Sequence, residues 1–445
     1  MLKKHLSLAV ALTVGLSIGV ATKSFATNGY FMTGLGAKQL AMGGAAVANP
    51  QDASTILTNP AGIAWLPTSS ASVGGDVFVP LRYLNGQGSQ SNVYVVPAAG
   101  IAINPKGCNC QESNFTWGIG MYGVSGMGVD WNNPNGFGPQ AQPLQKVYSN
   151  MQMMEMDLAG AYRIDGHLSI GFAPVFVYQS MALEMDMNNA AIAQMSGMAP
   201  FLPATAQTGT AVNSLSAQNA YGAGFNLGLV YKLNDMWQFG LAYQSKRWMQ
   251  TLQWNTIPNF VPYGYAPNGQ MLTNGGMFDG YKVRMRLDMP QTVQFGVNFR
   301  PVNNLRVEAD VKWINWSNVM DKVPVDGIAN NGKPMGSWDF NWKNQWVYML
   351  GVEYSPIQPL TLMAGFNYGK SPIPNGVAFG NNIIAPAIVQ THLSFGASYD
   401  ITPAVQLTAA YQHAFEHKQS GTFNGMPVSI KMHEDEYAVQ LTYKF

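Results

Sequence analysis

Side chains able to do chemistry are sparse in this chain of 445 residues, and their spacing argues against catalysis. Beyond residue 26 the histidines are His167, His392, His413, His417 and His433. A hydrolase needs a nucleophile next to a base, yet neither a Gly-x-Ser-x-Gly nor a His-Glu-x-x-His pattern occurs. His433 with Glu434-Asp435-Glu436 has the composition of a cation site, but such a run reads first as a solvated rim. Cys108 and Cys110 are the only cysteines. A bridge across one intervening residue would be strained, free thiols are the alternative, and a zinc ribbon would need a second pair. No enzyme, cofactor or metal is expected. The remaining chemistry is charge at alternate positions: Lys282, Arg284, Arg286 and Asp288, then Glu308, Asp310 and Lys312. Two uses fit, an interior ion-pair ladder or a cationic seat at Arg284, Arg286 or Lys312 for an anionic head group.

Those charges have to be positioned by strands. Only 11% of residues are charged, against about 25% in soluble domains, while 12% are aromatic. Mean hydropathy is nevertheless near zero, too polar for a bundle of membrane helices. Residues that alternate between lipid and a polar interior give this balance. In 429–445, Tyr437, Val439, Leu441, Tyr443 and Phe445 share one face, and Ala438, Gln440, Thr442 and Lys444 the other. The same period of two predicts strands at 72–83, 92–103, 115–131, 151–164, 168–185, 220–233 and 237–254. It predicts seven more at 281–300, 305–319, 337–354, 360–370, 391–400, 405–418 and 429–445. An even count suits a single-chain barrel, and closure removes unpaired edges that lipid cannot satisfy. The fold class expected is all-β, a 14-stranded antiparallel transmembrane β-barrel. Arg or Lys facing lipid at mid-bilayer costs about 2–4 kcal/mol, so parity turns Arg284, Arg286 and Lys312 inward and Val283, Met285 and Leu287 outward.

Residues 1–26 read as a signal peptide, with Lys3 and Lys4 before an apolar core and Ser24-Phe25-Ala26 as the cleavage site. Minimal turns at 165–167, 234–236 and 302–304 belong on the periplasmic side; long loops at 187–219, 255–280 and 320–336 face outward. Acidic and basic residues nearly cancel, which leaves no field to attract nucleic acid.

Residues 27–70 do not alternate, and the strand pattern occupies 71–445. This small-residue segment carries Tyr30, Phe31, Met32, Leu40, Ile56, Leu57 and Trp65, which need shelter. A hatch plugging the barrel provides it, with Asn59-Pro60-Ala61-Gly62 as a turn near its exit. Gly34-Leu35-Gly36, Gly43 to Ala48, Asp52-Ala53-Ser54 and the Asn59 tetrad together resemble the hatch of the FadL family of outer-membrane transporters. Met289-Pro290-Gln291 with Gly296, Asp310-Val311 with Trp316-Ser317, and His392 to Tyr399 resemble that family's later strands.

The resemblance implies passive uptake of long-chain fatty acids or aromatic hydrocarbons at the outer membrane of a Gram-negative cell. Substrate would be held beside the hatch by Tyr30, Phe31, Met32, Asn59, Pro60 and Ala61. It would leave sideways at a kinked third strand carrying Gly118, Gly120, Gly123 and Gly126. Met195, Met198, Phe201 and Leu202 are candidates for capture on an outer loop, since thioethers adapt to varied apolar shapes. The partners expected are the hydrophobic substrate, outer-membrane lipid and lipopolysaccharide, and barrel-assembly machinery reading the terminal Phe445; a monomer is expected. The competing class is a barrel that serves as an adhesin or structural surface protein.

Overall fold

The computed structural model describes residues 28–105, 114–132, 144–188, 210–254, 283–326, 337–423 and 426–445. Fourteen strands alternate direction around one wall. The first seven are β1 Ser70–Leu84, β2 Tyr94–Ile103, β3 Phe115–Asn132, β4 Leu144–Arg163, β5 Leu168–Asn188, β6 Thr210–Lys232 and β7 Trp237–Gln244. The rest are β8 Thr292–Val302, β9 Leu305–Ile314, β10 Gln345–Ile357, β11 Leu360–Gly369, β12 Thr391–Thr402, β13 Val405–Phe423 and β14 Met426–Lys444. β14 pairs with β1 from Ser70↔Lys444 to Leu84↔Ile430, which closes the sheet. The chain is thus a closed 14-stranded antiparallel barrel, as its alternation predicts. On β14, Tyr437, Val439 and Leu441 are exposed while Ala438, Gln440 and Thr442 are buried.

Parity fails across the segment expected over 281–300, and the break falls at Pro290. The segment expected as one strand over 281–300 is two: Val283–Met285, then β8 from Thr292. Proline has no N–H for a ladder, so the chain steps out of register across Met289-Pro290-Gln291. Beyond the step Phe295 is 47% exposed and Gln294 buried, as expected. Before it the faces are reversed: Met285 and Leu287 are buried, whereas Arg284 and Arg286 are exposed. Neighbouring strands break at the same level. Leu252–Trp254, Val283–Met285, Lys322–Asp326 and Ser337–Asp339 form a separate four-stranded crown above β7 to β10. The expected loop at 320–336 therefore contains a strand, the expected strand 305–319 ends at Ile314 before a helical turn at Ser317–Met320, and 337–354 is interrupted between Asp339 and Gln345.

Inside the wall lies the hatch: α1 Ala37–Ala41, α2 Thr55–Thr58 and a 3-10 turn at Pro60–Trp65. Tyr30, Ala45, Ile56, Leu57 and Ile63 share one apolar core with lumenal wall residues such as Ala102, Tyr122 and Met153. The wall admits the hatch backbone where it has glycine. A Cβ on Gly365 would stand 2.1 Å from Gly43 N, and one on Gly240 2.2 Å from Val47 O.

Candidate functional site

The segment before α1 forms an arm. Asn28 and Phe31 bond to each other through their backbones, and Phe31 bridges Ser125 of β3. Met32 N donates to Val124 O at 3.2 Å, and Gly126 N donates to Tyr30 O at 3.0 Å. The β3–β4 register shifts between Gly123 and Ser125, a bulge that leaves Val124 unpaired. Pairing between β2 and β3 runs from Ile103↔Trp117 to Ala98↔Tyr122 and stops there. The arm therefore occupies the edge that β2 leaves open above Gly123.

Rings hold the arm in place. Tyr30 meets Trp316 edge-on at 4.4 Å, and Phe31 lies 5.0 Å from the same indole. Trp342 adds a third wall, 5.0 Å from Trp316. Aromatic pairs of this kind each contribute about 0.5–1.5 kcal/mol beyond area burial. Tyr30 donates its hydroxyl to Asp288 O at 3.2 Å. Burial, with the Asp288 carboxylate nearby, pushes that hydroxyl well above its ordinary range, so it remains a donor.

Beside the arm lies a cavity of about 60 Å³ lined by Phe31, Met32, Gln244, Arg247, Met289 and Lys312, among others. Its charges are unequal. Arg247 is paired with Glu155 through two hydrogen bonds of 2.9 and 3.0 Å. No carboxylate lies within ion-pair distance of Lys312 among the described residues; its ammonium sits 5.5 Å from the centroid of the Phe31 ring. Of the two cations lining this space, Lys312 is thus the one without a carboxylate at ion-pair distance among the described residues.

A second cavity, about 10 Å³, lies toward the crown and is lined by Met127, Met151, Met181, Met285 and Leu287 among others. Met127↔Met151 and Met151↔Met181 are cross-strand partners, so three thioethers form one row over β3, β4 and β5. Tyr30 marks the level between the cavities. Its carbonyl binds Gly126, between Val124 of the first and Met127 of the second. Its hydroxyl binds Asp288 O, between Leu287 of the second and Met289 of the first.

The sequence-derived candidates separate accordingly. Phe31, Met32 and Lys312 line the first cavity, and Tyr30 buttresses it. Asn59, Pro60 and Ala61 do not line it: they seat the hatch on β5 and β6. Asn59 Nδ2 donates to Val47 O at 2.8 Å and Leu229 O at 3.2 Å, and a Cβ on Gly171 would stand 2.2 Å from Ala61 N. Arg284 and Arg286 face away, because of the Pro290 step; Arg286 pairs with Asp288 at 3.0 Å. Gly118 and Gly120 abut Ile56 and Leu57 of the hatch, and Gly123 and Gly126 flank the bulge. Met195, Met198, Phe201 and Leu202 lie outside the described residues, as do residues 1–26, Cys108 and Cys110.

The sequence reading missed Arg247, Glu155 and the aromatic box. It also took Glu308 and Asp310 for members of an ion-pair ladder. They grip the hatch instead: Asp310 Oδ2 accepts from Ala46 N and Val47 N at 3.0 and 3.1 Å, and Glu308 Oε1 from Ala48 N at 2.7 Å.

Comparisons with known proteins agree with this architecture. Residues 15–445 match the family described as outer membrane protein transport protein (OMPP1/FadL/TodX). Outer membrane protein P1 of Haemophilus influenzae is 24% identical over 455 residues, covering 91% of each chain. The long-chain fatty acid transport protein of Escherichia coli O157:H7 is 22% identical over 431 residues, covering 92% of each. Among solved structures, a Pseudomonas aeruginosa FadL homologue superimposes with a TM-score of 0.75 at 17% identity, covering 94% of this chain and all of that one (100%). The Pseudomonas putida toluene transporter TodX gives 0.71 at 21% identity, covering 94% and 100%.

Proposed function

Since the chain belongs to the OMPP1/FadL/TodX family of outer-membrane transport proteins, we propose that it carries hydrophobic small molecules inward passively, by binding beside the hatch and leaving through the wall. The substrates are long-chain fatty acids or aromatic hydrocarbons, classes that the Escherichia coli relative and the toluene transporter handle respectively.

The observation that carries this reading is the arm itself. Tyr30 to Met32 bond to the bulge on β3 at the level where its ladder with β2 has ended. A side exit that opens there needs only the arm to withdraw; the clamped hatch behind it stays. The cavity supports the same view. About 60 Å³ is well below the roughly 150 Å³ that holds one benzene ring, so a substrate enters by displacing the Phe31 ring. Burial of each methylene is worth about 0.8 kcal/mol, enough for a long chain to drive that displacement without another energy source.

Lys312 is the candidate partner for a carboxylate, and only for a substrate that has one. The test is uptake of oleate and of toluene by cells producing the wild type, a variant lacking residues 27–31, or Lys312→Met. Loss of both fluxes in the deletion, with the barrel still folded, is expected, because without the arm the cavity beside the hatch loses the wall against which substrate is held before release; unchanged flux overturns the reading. A drop confined to oleate in Lys312→Met assigns the carboxylate role. Its absence removes that role and leaves the route standing.

A further inference from the structure

The mouth of the barrel is crossed by a strap that no sequence pattern announced. Residues 371–390 connect β11 to β12, and they lie within the bore. Phe379, Ile383, Ile384, Ala387, Ile388 and Val389 are all at most 3% exposed. Its far end reaches wall strands five and six places on from β12. Trp131 Nε1 of β3 donates to Ile383 O at 2.8 Å, and Ser149 Oγ of β4 donates to Ile384 O. Ile384 and Ala385 form the roof of the methionine-lined cavity.

The two ends of the strap are held differently. At the near end its backbone joins β13: Thr422 N donates to Gly376 O at 3.1 Å, and Gly376 bridges Gly421. Gly376 has a φ of 87°, a left-handed turn natural to glycine. At the far end, the ties to β3 and β4 are the side-chain bonds from Trp131 and Ser149. Asn382, tied to Trp342 Nε1 at 2.6 Å and to Phe340 O at 3.0 Å, fixes the middle. A segment joined by backbone at one side and by side chains at the other lifts about the backbone side.

We propose that this strap is the outer gate of the transporter, and that the methionine cavity beneath it is an intermediate binding chamber for apolar cargo. The chamber has the strap above and Tyr30 of the arm below. With both in place it has room for a single small atom group, so it fills only when one of them moves. Cargo passes from the outside into the chamber when the strap lifts, and on to Lys312 when the arm yields. Thioether side chains suit the chamber, being polarisable and free to repack around rings or chains. The proposal rests on the transport reading above.

Its test is a removable lock. In a Cys108→Ser/Cys110→Ser background, Ser149→Cys with Ile384→Cys places thiols on two residues that the Ser149 hydroxyl bond to the Ile384 carbonyl brings together and that both line the chamber. Oxidation should form a bridge, seen by mass spectrometry, lower uptake of oleate and toluene at least tenfold, and be reversed by dithiothreitol. A bridge that leaves uptake unchanged overturns the gate, and failure to form a bridge overturns the strap's place across the bore. A second measurement reads the strap without transport. In the same background, Met151→Cys should react slowly with an aqueous maleimide, and adding Trp131→Phe should speed labelling about tenfold. Equal rates overturn the role of the Trp131 tie in closure. If wild-type cells take up neither probe, the transport reading fails, while the labelling result still reports on the strap.

Discussion

The Lys312 ammonium lies 5.5 Å from the centroid of the Phe31 ring, so a residue of the hatch arm occupies the side of this cation that a ligand would approach. Phe31 also packs on Trp316 and Tyr30, at 5.0 and 5.5 Å between ring centroids. A ligand that enters must replace these contacts. Phe31→Ala removes the competing ring, at about 0.5–1.5 kcal/mol per aromatic pair. Binding of a fluorescent fatty acid to the purified protein should then tighten about tenfold. Weaker binding would mean that Phe31 is part of the ligand's seat.

Asp310 and Glu308 provide a second prediction. Removing a buried acceptor leaves its donors unpaired, at about 1–3 kcal/mol each. Asp310→Ala would strand the amides of Ala46 and Val47 together with the Gln294 side chain, which donates to Asp310 at 2.7 Å. The hatch should loosen by several kcal/mol while the wall stays closed. Limited proteolysis cutting near residues 44–50, in a barrel that still resists SDS without heating, would show it. Asp310→Asn retains one acceptor oxygen and should be markedly milder.

Much of the wall was legible because lipid enforces parity. An outward charge is costly, so strands such as β14 and β9 declare their faces residue by residue. The same rule misleads where a proline breaks the register: parity turns Arg284 and Arg286 inward only if one strand runs unbroken through Pro290. The glycine- and alanine-rich hatch was recognisable as something needing shelter. Its fastening was not: a carboxylate that binds backbone amides looks, in sequence, like one awaiting a lysine. The strap was the least legible element. Ile383 to Val389 has no period of two and no helical face, and the groups that bond it, Trp131 to Ile383 and Ser149 to Ile384, with Trp342 beside Asn382, are all distant along the chain.

Close approach gives the third prediction. A Cβ at position 365 would meet Gly43 N at 2.1 Å, below any real contact distance, and both partners are backbone with no side chain to swing aside. Gly365→Ala should therefore push the hatch off β11, while the outward face of the strand, where Phe366 is 41% exposed, is unaffected. Planar-bilayer recordings should show salt conductance well above that of the wild type, in protein that keeps its heat-modifiable mobility on gels. Wild-type conductance in Gly365→Ala would mean that the hatch can shift without opening a path.

The Arg247–Glu155 pair separates structural charge from charge meant for cargo. Both side chains are at most 5% exposed, and Arg247 also donates to Asn226 Oδ1 at 2.8 Å. Breaking a buried pair by removing one partner costs about 3–5 kcal/mol, because the other charge stays behind uncompensated. Glu155→Gln should thus lower the temperature at which the barrel unfolds in gel-shift heating series. Glu155→Gln combined with Arg247→Met should recover much of the loss, since replacing a whole buried pair is often close to neutral. Lys312→Met should move that temperature little, because its ammonium has no carboxylate partner among the described residues to abandon. If the double variant is as unstable as Glu155→Gln alone, Arg247 holds the fold through its bonds to Asn226 and to the Ser245 carbonyl, and the ion pair is secondary.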